Sequence, residues 1–216
     1  MIFDLEGFSK FFSQPDVHDY VPKYLNIILE AIEILLNGGD FYWHLDEEGK
    51  AKNFPALPKH IHSKFLGDGG LYIWKYNDFT KKDIVLLINR VYNLRLLFHR
   101  VIERALDEIP LLDIPKNIRF GISAGSVYKL TYKNSSKEEY IGYSINLASR
   151  LQSYCSSVGF IVAGRLNIKS SEIEENKYLK LVATKIKGFP QEIVIVDIQD
   201  YERLDEETKF DLFQQI

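Results

Sequence analysis

The sequence predicts one mixed α/β (α+β) domain, on three observations. Stretches of alternating apolar residues trade places along the chain with stretches of three-and-four apolar spacing, no linker or shift in composition divides it, and 216 residues are enough for one sizeable core. With 46% hydrophobic residues, a chain of this size buries roughly 70% of its unfolded surface. The 27 basic and 30 acidic side chains leave a formal charge of -3, which excludes a strongly basic nucleic-acid binder while leaving room for a local cationic site. One cysteine, Cys155, excludes an intramolecular disulfide framework and a multi-cysteine zinc site, and reads as a small buried hydrophobe. No run approaches the ~18 uninterrupted apolar residues of a spanning helix. Met1-Ile2-Phe3-Asp4 carries no basic leader, so a soluble, cytoplasmic protein is expected.

The elements follow in order. Met1-Ile2-Phe3 reads as a short strand ending at Asp4, and Leu5 to Ser9 as the turn that leaves it. Val21, Tyr24, Leu25, Ile28, Leu29, Ile32, Leu35 and Leu36 recur at helical spacing, and Asn37-Gly38-Gly39 stops that helix. Phe41 to Leu45 is a strand candidate, Asp46 to Asn53 a polar turn, and Phe54 to Pro58 too proline-rich for a central strand. Ile61 to Leu66, Gly67-Asp68-Gly69-Gly70 and Leu71 to Trp74 predict a hairpin with a carboxylate at its tip. Lys81 to Ile109 forms one continuous helical stripe through Ile84, Ile88, Val91, Arg95, Phe98, Ile102 and Leu106. Asn117 to Leu130 suits paired strands brought close at Gly121 and Gly125. Tyr143 to Tyr154 is a second helix, and Phe160-Ile161-Val162 a buried strand. Leu179 to Ile186 and Glu192 to Ile198 are strands joined by Lys187-Gly188-Phe189-Pro190, and the tail from Tyr201 to Ile216 reads as a surface helix.

Four local patterns carry chemistry: Phe3-Asp4-Leu5-Glu6-Gly7-Phe8-Ser9; Lys64-Phe65-Leu66-Gly67-Asp68; Arg119 to Val127; and Tyr140 to Leu151. A weaker fifth, Ile186-Lys187-Gly188, leads into Ile193 to Val196. Asp4 at a strand end and Asp68 on a hairpin tip are two carboxylates able to share a pair of hard divalent cations, magnesium or manganese. Two such metals activate an attacking oxygen and stabilise a leaving oxygen at phosphorus. Asn146 and Arg150 lie four apart, so a helix projects both from one face, an amide for a ribose and a guanidinium for charge developing on phosphate. Arg119 and Lys187 supply further cations for a polyphosphate. Together these residues describe phosphoryl chemistry on a nucleoside triphosphate.

On these five motifs, in order, the chain resembles the class III nucleotidyl (adenylate/guanylate) cyclase catalytic domain over residues 1 to about 199 of a single 1–216 domain, leaving a helical tail of 200–216. The resemblance implies a ferredoxin-like βαββαβ core with additional strands and a C-terminal helix, working as a head-to-tail homodimer with sites shared across the interface. It implies that Asp4 and Asp68 bind two Mg2+ or Mn2+ ions with the Leu5 carbonyl nearby. Asn146 would orient the ribose and Arg150 stabilise the transition state from the other protomer, while Arg119 and Lys187 meet the terminal phosphates. The implied reaction is attack of the ribose 3′-oxygen on the α-phosphorus, giving a 3′,5′-cyclic nucleotide and pyrophosphate.

The base-reading pair maps by the same resemblance to Lys64 and Glu139. Lysine donates and glutamate accepts, a combination that fits adenine, uracil, cytosine or guanine, so hydrogen-bond arithmetic does not choose. Within the family, Lys64 to Gly69 and Tyr140 to Arg150 look similar to the stand-alone pyrimidine cyclases of Pycsar anti-phage systems. That likeness implies cyclic UMP, or else cyclic CMP, signalling to a separate effector that senses the product. An ordinary adenylate or guanylate cyclase, a silent nucleotide-binding module and a palm-type nucleotidyltransferase stand as alternatives. The aromatics Phe41, Tyr42 and Trp43 are expected to narrow the base pocket for a single ring. His60 and His62, two apart, read as a surface pair rather than a zinc site, and Glu6 as exposed rather than ligating.

Overall fold

A computed structural model describes residues 1–15, 17–109, 113–133, 138–169, 172–173 and 176–216 of the chain. It divides into two compact units, one of Asp4–Arg119 and one of Met1–Phe3 with Phe120–Ile216. Two strands, β1 (Ile2–Glu6) and β6 (Asn117–Ile122), run through the division.

The Asp4–Arg119 unit opens with β1, where Phe3 and Leu5 are buried and Asp4 and Glu6 are partly covered. The strand therefore continues two residues past Asp4, which sits within it rather than at its end. After α1 (Phe8–Phe12) comes α2 (Val21–Asn37), whose buried face contains Tyr24, Ile28, Ala31, Ile32 and Leu35 at the expected spacing. A hairpin of β2 (Gly39–Leu45) and β3 (Ala51–Phe54) follows. Its turn is shorter than expected because the Asp46 carboxylate accepts from the backbone N–H groups of Glu48 and Lys50, at 2.9 and 2.8 Å, freeing Ala51 to begin a strand. Then come β4 (His62–Phe65) and β5 (Gly69–Ile73), paired antiparallel from His62↔Ile73 to Phe65↔Gly70. The predicted 81–109 helix is two helices, α3 (Lys81–Leu96) and α4 (Phe98–Glu108). They part at Leu97, without a glycine or proline, and both Leu94 and Phe98 are thereby buried; Arg90 rather than Arg95 is the buried arginine, and Leu106 is exposed. The strand order here is β6-β1-β5-β4. Taken with the connection β1-α2-β4-β5-α3/α4-β6, this is a βαββαβ core of ferredoxin-like order: fourth, first, third, second.

Arg90, 1% exposed, organises the helical side of this unit. Its guanidinium donates to the Leu35 carbonyl at 3.0 Å and to the Pro55 carbonyl, and lies over the rings of Phe41 (5.4 Å) and Phe54 (5.6 Å). Phe41 and Trp43 are 1% and 0% exposed and pack on each other with centroids 4.9 Å apart. These rings are core residues under the helices and offer no face to a nucleotide base, contrary to the sequence expectation.

In the other unit the strands run β12-β10-β11-β9-β6-β1, with β9 (Phe160–Ala163), β10 (Tyr178–Ala183), β11 (Glu192–Asp197) and β12 (Phe213–Gln215). β6 and β9 are parallel from Phe120↔Phe160 to Ile122↔Val162; the pairs β9–β11, β11–β10 and β10–β12 are antiparallel. The helix α5 (Tyr143–Gln152) packs Leu147 and Leu151 into the core formed with Ile161, Leu181, Val194 and Phe213. Cys155 is buried in the same core. Residues 117–130 do not form a strand pair with each other. β7 (Tyr128–Thr131) instead pairs β8 (Glu138–Ile141) in a separate ribbon, because the bend at 123–127 takes the chain out of β6. The tail is not one helix but α6 (Ile198–Glu202), α7 (Glu206–Leu212) and β12. Asp197 and Asp205 cap the two short helices, and Phe213 turns the end of the chain back into the core as an edge strand.

Candidate active site

The acidic half of the predicted site is assembled inside the Asp4–Arg119 unit. Gly67 adopts φ +95°, a left-handed conformation that glycine takes without strain, and lets Leu66 N–H close on the Gly69 carbonyl at 2.9 Å. That two-residue turn places Asp68 at its tip, and the Leu5 N–H donates to the Asp68 carbonyl at 2.9 Å, locking the tip beside β1. Leu5 buries its side chain, at 2% exposure, so it meets the site through its main chain. The Asp68 carboxyl is held above its usual carboxylate range, first by partial burial and then by the Asp4 carboxylate; Arg119 pulls the other way.

Arg119 projects from β6 and pairs Asp4 directly, Nη2 to Oδ2 at 2.6 Å, with both side chains about four-fifths covered. One step along, Asn117 donates to Glu6 at 3.1 Å. Glu6 is thus engaged with Asn117 and not exposed in the simple sense expected. Lys64 is an exposed residue of β4, opposite Leu71 and four residues before Asp68. His62 lies on β4, whereas His60 precedes the strand and packs edge-on to Tyr72 and Trp74, so the two do not share a strand face. Among the described residues no group of three or more His, Cys, Asp or Glu side chains could hold a metal ion. The candidate donor set is two carboxylates with a neighbouring main chain, hard oxygens of the kind magnesium and manganese take, and the Asp4–Asp68 repulsion is of the sign a bound cation relieves.

The other predicted residues belong to the unit of Phe120–Ile216. On α5, Asn146 and Arg150 are both exposed on the face opposite Leu147, Ala148 and Leu151. Their side chains have no hydrogen-bond partner among the described residues. The position of α5 depends on Gly121, where a Cβ would stand 2.0 Å from the Ala148 carbonyl oxygen and 2.7 Å from the Gln152 nitrogen, so only glycine permits this approach of helix to strand. Glu139 is half-buried on β8 opposite Leu130. Lys187 is exposed in the turn between β10 and β11, and Phe189 of that turn packs edge-on to Tyr143 at 4.8 Å. The Tyr143 ring in turn lies under the Arg165 guanidinium at 4.8 Å, which Glu192 holds by a paired contact. Sequence reasoning missed Tyr143, Arg165 and Glu192 as supports of this face; they are 22 and 27 positions apart and carry no local signal.

No family model matches the chain, and no curated protein matches it. Solved structures do. A guanylyl cyclase, Cya2, aligns with a TM-score of 0.59 and 18% identity over 91% of this chain and 88% of its own. The adenylyl cyclase CyaB from P. aeruginosa aligns with a TM-score of 0.59 and 20% identity, covering 90% of each chain. An adenylate cyclase from Trypanosoma brucei follows, at 0.51 and 17% over 92% and 87%. At these identities the likeness concerns architecture: the chain has the mixed α/β fold of adenylyl and guanylyl cyclase catalytic domains. No helix among the described residues is long and apolar enough to cross a membrane.

Proposed function

We propose that the chain is a metal-dependent nucleotidyl cyclase that converts a pyrimidine nucleoside triphosphate, UTP ahead of CTP, into its 3′,5′-cyclic monophosphate and pyrophosphate. The observation that carries the reading is the pairing of Asp4 and Asp68, locked in register by the Leu5–Asp68 backbone bond and flanked by Arg119. The fold it shares with adenylyl and guanylyl cyclases supports the cyclase part of the reading independently.

In this reading Asp4, Asp68 and the Leu5 carbonyl would hold two divalent cations, which would supply charge to activate the 3′-oxygen and offset the leaving pyrophosphate. The 3′-hydroxyl gives up its proton to solvent, the O3′–Pα bond forms, and the bond from Pα to the bridging oxygen breaks with its electron pair on pyrophosphate. Asn146 orients the ribose, and Arg150 neutralises charge that develops on the α-phosphate. Arg119 leaves Asp4 for the terminal phosphates once the carboxylate is otherwise compensated, and Lys187 joins it. Two copies pair head to tail, the acids of one working with Asn146 and Arg150 of the other. Lys64 and Glu139 read the base. The pyrimidine choice and a role in anti-phage signalling through a separate effector rest on the likeness of 64–69 and 140–150 to Pycsar cyclases. A purine cyclase is the second reading, favoured by the adenylyl and guanylyl activities named for the structural neighbours.

The test is incubation of the purified protein with ATP, GTP, CTP and UTP separately, with manganese, and identification of products by mass. Cyclic UMP or cyclic CMP as the dominant product is the expected result. Cyclic AMP or cyclic GMP would replace the pyrimidine reading with the second one, and no cyclic product would overturn the cyclase assignment.

A further inference from the structure

The Tyr154 hydroxyl uses its whole hydrogen-bonding capacity at one junction. It accepts from the backbone N–H groups of Thr184 (3.1 Å) and Lys185 (3.2 Å) and donates to the Leu212 carbonyl. Thr184 is bound a second and third time from the same side, its N–H to the Leu212 carbonyl at 3.0 Å and its Oγ1 to the Asp211 carbonyl at 3.1 Å, and Lys185 pairs with the Asp211 carboxylate. The Tyr154 ring stands edge-on to Phe213 at 5.5 Å. Residues 211–213 of the tail therefore strap down the two residues that lead, through buried Ile186, into Lys187.

The far side of the same turn is held by a second tyrosine. Phe189 closes on the Ile186 carbonyl at 3.0 Å and packs against Tyr143. Tyr143 is the first residue of α5, and Tyr154 lies two residues past its last, Gln152. Both ends of the helix that displays Asn146 and Arg150 thus grip the turn that displays Lys187.

We propose that Tyr154 is a positioning residue for Lys187: its hydroxyl, with the 211–213 strap, fixes the Lys187 turn against α5 so that the lysine meets a polyphosphate in one geometry with Arg150. The proposal rests on the cyclase reading for its ligand and on this unit's own contacts for its geometry. A strap of this kind makes the chain's last two elements part of polyphosphate recognition, a role that their surface position does not suggest.

The experiment is a double-mutant cycle between Tyr154→Phe and Lys187→Ala, read by calorimetric binding of manganese pyrophosphate and by KM and kcat for the preferred triphosphate. Tyr154→Phe keeps the ring contact with Phe213 and removes the three hydrogen bonds. It is expected to weaken pyrophosphate binding and raise KM roughly tenfold, and to change neither by more than about twofold once Lys187 is alanine. Additive effects, or no effect of Tyr154→Phe on pyrophosphate, overturn the proposal. If Tyr154→Phe does not fold, Asp211→Ala cuts the strap from the other side and is expected to give the same non-additivity with Lys187→Ala. A native protein that binds pyrophosphate through this coupled pair yet forms no cyclic product would overturn the cyclase reading and uphold the positioning role. A native protein that cyclises while the two variants act additively would overturn the positioning role alone.

Discussion

Asp4 of β1 and Arg119 of β6 meet at 2.6 Å, and the Asp4 carboxylate in that pair also repels Asp68 on the neighbouring hairpin tip. Three charges of a +1/-2 cluster, all in one compact unit, leave a net negative charge that a cation would complete. The arginine is a built-in counter-ion for the acids and, on the proposed mechanism, would be free to meet phosphate with a cation in its place.

Asp4→Asn and Asp68→Asn each remove one donor of the pair. Cyclisation is expected to fall a hundredfold or more, on the order of a lost metal ligand, while the protein stays folded. Manganese should raise the Tm of the native protein by mass action and leave that of either variant unchanged. Thermal melts with and without the ion check this.

Gly121→Ala puts a methyl group into the Ala148 carbonyl, a backbone atom with nowhere to go. Overpacking of this kind costs roughly 3 kcal/mol at the upper end of the usual range. Denaturant titration is expected to show that loss, and activity should fall further than stability because the displaced helix carries Asn146 and Arg150.

Arg90→Met leaves the buried carbonyl of Leu35 without its donor and frees the partly covered carbonyl of Pro55. One unsatisfied buried acceptor costs about 1–3 kcal/mol, so a loss of that order is expected from denaturant unfolding. Arg90→Lys should not restore it, because one ammonium cannot reproduce the planar fork between Phe41 and Phe54.

Alkaline stability follows from the buried tyrosines. Burial raises the hydroxyls of Tyr24 and Tyr72 well above the usual tyrosine range, Glu33 adding to the effect at Tyr72, and pushes Tyr42 up to about 12. The unfolded chain releases these protons near the ordinary value of 10.0, so between there and about 12 the native state holds more protons than the unfolded one. Their contribution to stability is complete below pH 10 and falls as pH rises from there, that of Tyr42 being lost by about pH 12 and those of Tyr24 and Tyr72 continuing to fall above it. Tm measured against pH, with phenolate absorbance recorded in parallel, should show the decline beginning before the native tyrosines titrate.

Much of this was legible in residue order. The helical stripe from Val21 to Leu36, the 61–74 hairpin and the α5 motif carry their periodicity or turn chemistry locally, so they could be placed without a partner in view. What lay beyond reach depended on tertiary contact. Leu97 breaks the 81–109 stripe with an ordinary residue, and Phe41 packs beneath Arg90, 49 positions downstream. β7 finds β8 rather than β6 because a bend outweighs alternation. At the site, the spacing of Asn146 and Arg150 put them on one face, as observed, whereas the Asp4–Arg119 ion pair and the Tyr154 junction join residues 115 and 30 positions apart. No local pattern records such pairs.

The measurement that tests the account most directly is complementation between two inactive variants, Asp68→Asn and Arg150→Ala, each pure and each confirmed folded. If two copies share their sites head to tail, random mixing makes half the dimers hybrid, and each hybrid has one site with both native halves; activity should return to about a quarter of native. Mixtures that exchange subunits and stay at the background of the separate variants would contradict a cyclase whose acids and Asn146–Arg150 face work across two chains.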